Sequence, residues 1–271
     1  MKMVSAAKLR RAQEAMLHAR PYAYRIYSIL LSLAQREIVS HPLLIHRPEK
    51  RVRLIVLAGD RGLCGSFNAN IFKEAQKFIA KKEAAGISVS VECIGKKSFE
   101  FFKSRREVAA NHEGILGKAT FEKTSVIADR ILQSFLAEEI DAIYLVYNEF
   151  KSAIQQKPVV ERLIPVSLEV PDGVVGMVRL SEQDRFKEYI YEPSREEILD
   201  VIVPRHFKMQ IFRAVLESVA SEHGARMSAM ENATTNASEM IDGLTLQYNK
   251  ARQAAITKEL AEIVGGVEAM S

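Results

Sequence analysis

The chain has 271 residues, 48% hydrophobic and 27% charged, with a formal net charge of +4. This composition is typical of an ordinary chain that buries a core, and the charge does not resemble that of a dedicated nucleic-acid binder. Every window of about 18 residues contains charged side chains, which excludes a membrane-spanning helix. Cys64 and Cys93 have no metal-ligand spacing, so we expect free thiols in a reducing compartment.

The first predicted element is a helix from Lys2 to Ile38, whose apolar residues recur at spacings of three and four. Pro21 lies inside this pattern and removes an internal hydrogen bond, so we expect a kink or a restart there. The pattern opens without a capping residue or acidic side chains in its first turn. We therefore expect the helix to have further residues upstream of Met1.

The hydrophobic period changes between Arg51 and Pro193, where short apolar runs alternate with helical patterns. Strands that alternate with helices of ten or more residues predict a mostly parallel sheet with helices on both faces. The predicted strands cover residues 51–59, 88–95, 141–150 and 158–168, and the predicted helices cover 66–86, 96–108 and 120–140.

A glycine-rich turn, Gly59 to Ser66, follows the first predicted strand. Such turns bind phosphates in many α/β proteins because free amides at a helix N-terminus face the anion. The spacing here is G-x-x-G-x-x-G, however, with no phosphate-gripping lysine and no acidic residue after the second strand. A tight structural turn at Gly59, Gly62 and Gly65 is favoured over a nucleotide loop, and both interpretations stay open.

The remaining polar residues do not form a convincing active site. The six histidines show no H-x-x-x-H pair, and the serines lack a nucleophile-elbow context. We therefore predict no catalytic group, no cofactor and no metal site, which favours an interaction or structural protein.

Helical periodicity returns at Arg195 and continues to Met270, and Met227 to Val264 contains no proline and only Gly243 as a glycine. Patterns much longer than about 25 residues indicate a coiled coil, a membrane span or a helical repeat. The membrane span is excluded and no internal repeat is found, so a coiled coil with the N-terminal helix is expected. We divide the chain into an N-terminal helix (1–40), a globular domain (41–193) and a C-terminal long helix (194–271).

Three sequence segments resemble the gamma subunit of F-type ATP synthase, and the resemblance covers essentially the whole chain. They are Met1–Arg10, Gly59–Asn68, and Ala225–Met230 continuing to Leu246–Leu260. The resemblance implies an α/β plus α fold, in which a Rossmann-like α/β domain is inserted between N- and C-terminal helices. These helices would form a long antiparallel coiled coil, and the inserted domain would bind no nucleotide.

The resemblance also implies a function, that of a non-catalytic central-stalk rotor. The coiled coil would enter a hexamer of alpha and beta subunits, while the globular end would contact epsilon and the membrane c-ring. It implies a peripheral location on the cytoplasmic side of a bacterial inner membrane and no nucleic-acid partner. The alternatives are a coiled-coil adaptor of another assembly and, less favoured, a dinucleotide-binding enzyme.

Two groups of contact residues follow from the resemblance. One group would contact the beta subunits: Met1, Arg226, Lys250, Arg252, Gln253 and Thr257. The other would contact the c-ring or epsilon: Tyr189, Tyr191 and Glu192. Ordinary roles remain open for several of them, namely solvated helix positions for the two arginines, core packing for Met1 and a strand end for the second group.

Overall fold

The structure, a computed structural model, describes residues 1–34, 41–166, 192 and 194–269. The chain divides into two compact units, Met1–Ser228 and Ala229–Ser271. The division into 1–40, 41–193 and 194–271 therefore stays a prediction about sequence segments. Among the described helices, none has the length and apolarity that crossing a membrane requires.

A five-stranded sheet forms the centre of the first unit. Its strands are β1 (Arg51–Leu57), β2 (Ser88–Ile94), β3 (Val108–His112), β4 (Ala142–Phe150) and β5 (Gln156–Ile164). They lie in the order β3-β2-β1-β4-β5, with β5 antiparallel to β4 and every other pair parallel. The prediction of a mostly parallel sheet is confirmed.

Strand β3 was not predicted: the helix expected over residues 96–108 overlaps it only at Val108, and no element was expected over residues 109–119. That helix, α3 (Lys96–Phe102), ends six residues early, and Val108 begins β3 instead. The strand consists of five residues, VAANH, at one edge of the sheet. An edge strand of this length with two small alanines carries almost no apolar alternation, so the sequence offers little signal for it.

Helices cover both faces of the sheet, as expected. On one face α2 (Phe67–Ala84) and α3 pack against a cluster that includes Leu54, Val56 and Val91. On the other face α4 (Phe121–Leu136) packs together with the two terminal helices against Ile55, Leu57 and neighbouring residues. Leu54 and Val56 belong to the first cluster, whereas Ile55 and Leu57 belong to the second. This alternation has the period of two residues that is expected of a strand buried on both sides.

The terminal helices are α1 (Lys2–Ala34) and α5 (Arg195–Glu268), and they pack antiparallel inside the first unit. Leu30 near the end of α1 shares a cluster with Val203 near the start of α5, whereas Leu9 shares one with Ala220. Helix α1 continues through Pro21 without a restart, and the alternative of a kink there stays a prediction. The missing amide is tolerated because the packed face of the helix supplies its stability.

The second unit, Ala229–Ser271, is described to residue 269 and consists of the remaining part of α5. Every residue from Glu231 to Gly266 is exposed in this chain. The exposed residues include Ile241, Leu244 and Tyr248, and then Ile256, Leu260 and Ile263, at spacings of three and four. The first three residues form an apolar stripe on one side of the helix, and such a stripe on an exposed helix indicates a surface that is covered by a partner.

Gly95, between β2 and α3, brings two strand ends into direct contact. It has φ of +100°, and a Cβ atom at this position would lie 1.9 Å from the Ala58 carbonyl oxygen, which follows β1. Only glycine avoids both the clash and the positive φ. The loops after β1 and β2 therefore approach each other more closely than any other residue allows.

We expect Gly95→Ala to reduce the free energy of unfolding by about 3 kcal/mol or more, because the methyl group displaces the Ala58 backbone. Gly117→Ala is the control, since nothing lies within 4 Å of its Cβ position and its φ is not in the left-handed region. The control should change stability by no more than about 0.5 kcal/mol. Equal effects in urea denaturation would contradict the predicted clash.

Candidate functional site

The order of the strands reverses between β1 and β4. From β1 the chain adds β2 and β3 on one side of the sheet, and it then adds β4 on the other side of β1. In parallel α/β sheets, the crevice outside the carboxyl ends of the strands at such a reversal is the usual ligand site. The glycine-rich turn follows β1 at this edge, and the loop from Lys151 to Gln155 follows β4. This crevice is therefore the candidate functional site.

Helix α5 lies against both of these loops. The Ser221 hydroxyl donates a 3.1 Å hydrogen bond to the Asn148 carbonyl oxygen in β4. A Cβ atom on Gly59 would lie 3.2 Å from the Glu222 carboxyl carbon, and one on Gly224 would lie 2.9 Å from the Ala153 carbonyl oxygen. Residues of α5 thus occupy the position at the reversal point that a nucleotide takes in proteins with this sheet order.

The glycine-rich turn is held by side chains of the chain itself. The Gly59 amide donates to Asn68 Oδ1 at 2.9 Å. One carboxylate oxygen of Asp60 accepts from the amides of Lys96 and Gly114, at 3.0 and 3.2 Å. The Lys96 amide belongs to the first residue of α3, directly after β2, and the Gly114 amide lies in the loop after β3. A carboxylate of the turn after β1 therefore ties the chain segments after β1, β2 and β3 together.

The three glycines of the turn have different surroundings. Gly65 has φ of +57°, which favours glycine, whereas Gly59 is crowded by Glu222. Gly62 has open space around its Cβ position, and its carbonyl oxygen accepts hydrogen bonds from Arg226. Leu63 also has a positive φ of +61°, a turn requirement that the sequence pattern did not reveal.

Arg226 joins α5 to this turn. Its Nε and Nη2 atoms donate to the Gly62 carbonyl oxygen at 3.3 and 3.2 Å, and Nη2 also pairs with the Glu222 carboxylate one helical turn away. Burial raises the pKa of Glu222, while the hydrogen bond from Arg226 opposes that shift. Burial and the charges of Arg226 and Lys8 lower the pKa of His223 to about 4, so this histidine is neutral near pH 7.

A second polar contact joins α5 to β4 and β5 through Arg213, which is buried. Its guanidinium donates to the Tyr147 hydroxyl at 3.1 Å, to Glu161 at 2.6 Å and to Glu217 at 3.0 Å. The Tyr147 hydroxyl in turn donates to Glu161 at 3.1 Å. Burial raises the pKa of Glu217, because removing the carboxylate from water outweighs the attraction of Arg213.

The predicted beta-subunit contacts fall into two environments. Met1 is 72% exposed, and the four predicted residues of the second unit are exposed as well: Lys250, Arg252, Gln253 and Thr257. Arg226 is only 8% exposed, because contacts within the chain take up its guanidinium. Its contact with a beta subunit stays a prediction.

The predicted c-ring contacts are described in part. Tyr189 and Tyr191 lie outside the described residues, and Glu192 is exposed. Sequence reasoning missed Arg213, Glu222 and Ser221, which join α5 to the sheet. The available signal was a set of polar residues recurring on the side of α5 that an apolar pattern predicts to be buried.

The two cysteines do not have the surroundings of reactive thiols. Cys64 and Cys93 are free and buried, and burial raises the pKa of Cys93 to about 11. A thiol with a raised pKa is a weak nucleophile at neutral pH. Within residues 1–34, 41–166, 192 and 194–269, no three His, Cys, Asp or Glu side chains are grouped as a metal site.

Comparison with known structures finds a similar fold in chains of two ATP synthase structures. The chain is similar to one in the central stalk and c-ring structure of the Tetrahymena thermophila mitochondrial ATP synthase, with a TM-score of 0.63 and 22% identity. That match covers 86% of this chain and 97% of the other. A chain of the Euglena gracilis mitochondrial ATP synthase matches with a TM-score of 0.59 and 19% identity, covering 98% and 95%.

Comparison of sequences is more specific. The family described as ATP synthase matches residues 1–270. The ATP synthase gamma chain of Geobacter metallireducens is 47% identical over 271 residues, which cover all of this chain and 91% of the relative. That of Anaeromyxobacter sp. (strain Fw109-5) is 48% identical over 275 residues, covering all of this chain and 92% of the relative. The chain therefore belongs to the ATP synthase gamma chain family.

Proposed function

We propose that the chain is the central-stalk rotor subunit of an F-type ATP synthase. It couples ion-driven rotation of a membrane c-ring to conformational change at the catalytic sites of an alpha and beta hexamer, and it works in reverse for ATP-driven ion pumping. The family membership carries this proposal. The exposed apolar stripe of the second unit supports it, because such a helix requires a surrounding partner.

The chain itself performs no catalysis in this proposal, and the nucleotide sites belong to its partners. The observation that supports a non-catalytic role is the position of α5, whose Ser221 and Glu222 lie at the edge of the sheet where a nucleotide would bind. Asp60 further ties together the loops that would hold a phosphate. The α/β domain is thus used for support rather than for ligand binding.

Rotation acts through differential binding. Each orientation of the helical shaft stabilises one nucleotide state of a given beta subunit over another, so that turning the shaft shifts these equilibria in sequence. Met1, Lys250, Arg252, Gln253 and Thr257 are exposed and available for the contacts that depend on the angle. The segment from Asn232 to Ser238 carries small and polar side chains, which give a stator little to hold at any single angle.

The opposite contact, with the c-ring and epsilon, is assigned to the segment of Tyr189, Tyr191 and Glu192. Through it the subunit is a peripheral part of the membrane-bound complex, on the cytoplasmic side of a bacterial inner membrane. We also propose that Arg226 contacts a beta subunit. Such a contact requires that the hydrogen bonds of Arg226 within the chain be broken or shared.

The isolated chain should show no ATPase activity and no saturable binding of ATP, ADP or NAD in titration calorimetry. The physical reason is that α5 fills the crevice beside Gly59 and Asn148. Circular dichroism of the same sample establishes that the chain is folded during the titration. A site of micromolar affinity that Gly59→Ala abolishes would contradict the assignment and favour a dinucleotide-binding enzyme.

Replacing predicted stator contacts should slow the assembled complex without unfolding the subunit. We expect Arg252→Ala and Gln253→Leu each to lower ATP turnover about fivefold, which corresponds to the loss of about 1 kcal/mol from one hydrogen bond. Lys258→Ala is the matched control, since Lys258 is exposed on the same helix and pairs with Glu262 at 3.7 Å. Unchanged turnover in both test variants would remove these two residues from the contact set.

Co-purification separates the rotor from a coiled-coil adaptor of another assembly. A tagged copy expressed in its own host should recover alpha, beta and epsilon subunits in a complex that hydrolyses ATP. Recovery of a different set of proteins would favour the adaptor.

A further inference from the structure

Helix α5 is held from two sides within Met1–Ser228. Arg213 and Arg226 are 13 residues apart, and at 3.6 residues per turn their side chains leave the helix about 140° apart around its axis. Arg213 bonds to Tyr147 and Glu161 on β4 and β5. Arg226 bonds to the turn after β1. The two guanidinium groups therefore hold α5 to different parts of the domain, one to β4 and β5 and the other to the turn after β1.

The packing around these contacts is apolar and close. Leu216 and Ala220 of α5 pack against Leu9 and Met16 of α1, which covers another side of the helix. Apolar contacts are non-directional, so a helix held only by them can roll or slide at small cost. Hydrogen bonds between buried charged groups depend on angle and distance and fix one setting of the helix.

Burial makes these hydrogen bonds unusually sensitive to displacement. Arg213 is 7% exposed and Glu217 is 3% exposed, and Glu217 Oε2 has no hydrogen-bond partner. If α5 rolled, the guanidinium of Arg213 would leave Glu161 and Tyr147 without replacing them by water. Gly224 lets α5 lie close to the loop after β4, because a Cβ atom at this position would lie 2.9 Å from the Ala153 carbonyl oxygen. Rolling of α5 is therefore opposed by the loss of these hydrogen bonds.

We propose that Arg213 and Arg226 are positioning residues for torque transmission, which clamp α5 to the α/β domain so that the two turn as one body. The inference rests on the proposed rotor function. In a rotor whose globular end contacts the c-ring, a helix that rolled within the domain would let ATP hydrolysis proceed without moving ions. The contacts of Arg213 and Arg226 thus keep ATP hydrolysis coupled to ion movement.

The test uses the complete ATP synthase in lipid vesicles and measures ATP hydrolysis and ATP-driven ion uptake in the same preparation. Arg226→Met removes the bonds to Gly62, and Tyr147→Phe removes the hydroxyl shared by Arg213 and Glu161. Each should lower the ion uptake per ATP hydrolysed about twofold or more, because a hydrogen bond that fixes α5 to the domain is lost. Hydrolysis itself should continue in Tyr147→Phe, because Tyr147 belongs to neither predicted contact group. The uptake ratio of Arg226→Lys should lie between those of the wild type and Arg226→Met.

Arg106→Met is the control, because Arg106 makes a bidentate pair with Glu83 at 2.7 and 2.9 Å without contacting α5. It should leave the ratio of uptake to hydrolysis unchanged. The clamp is overturned if both test variants keep the wild-type ratio, or if uptake and hydrolysis fall together in proportion to a lowered thermal stability. Tyr147→Phe keeps the test decisive if Arg226→Met does not assemble. Failure of the proposed function would appear earlier, as a wild-type chain that does not co-purify with alpha and beta subunits.

Discussion

The contact between α5 and the carboxyl edge of the sheet determines most of what the first unit can do. Ser221 binds the end of β4, Glu222 crowds Gly59 and Gly224 meets the loop after β4. With this helix in place, the crevice between β1 and β4 is part of the interior. The sheet keeps the strand order of a nucleotide-binding protein, while its usual site supports a helix.

Charged groups at this contact are buried to a degree that costs free energy. Taking Arg213 and Glu217 out of water is expensive, and a hydrophobic substitute of similar volume is often as stable or more so. Such groups are weak evidence for stability and better evidence for a defined geometry. At this contact, the buried charged groups are consistent with a helix that has to hold one angle relative to the sheet.

The second unit presents the opposite situation, because its side chains are exposed from Glu231 to Gly266. Its apolar stripe through Ile241, Leu244 and Tyr248 has no partner in this chain among the described residues. Membership of the ATP synthase gamma chain family supplies the context for such a helix. One part of α5 is positioned by its own chain, and the other offers its surface to an assembly.

The sequence by itself determined the class of fold and the main elements. Buried strands such as β1 and β4 and the long α5 carry periodicities that survive any tertiary context, so their existence and type could be predicted. The G-x-x-G-x-x-G spacing already disfavoured a nucleotide loop. Strand β3 could not be predicted, because its five residues owe their conformation to pairing with β2 rather than to their own pattern.

Only the tertiary structure decided which residues join these elements. From the sequence, Arg226 is indistinguishable from the other charged residues of the helix. In the structure it is buried against Gly62, 164 positions away along the chain. Arg213 meets Tyr147 and Glu161 in the same way, across 66 and 52 positions. Periodicity reports which side of a helix is buried, because burial follows from local spacing. The partner of a buried charge depends on which strands and loops lie opposite it, and that is settled only when the whole sheet has formed.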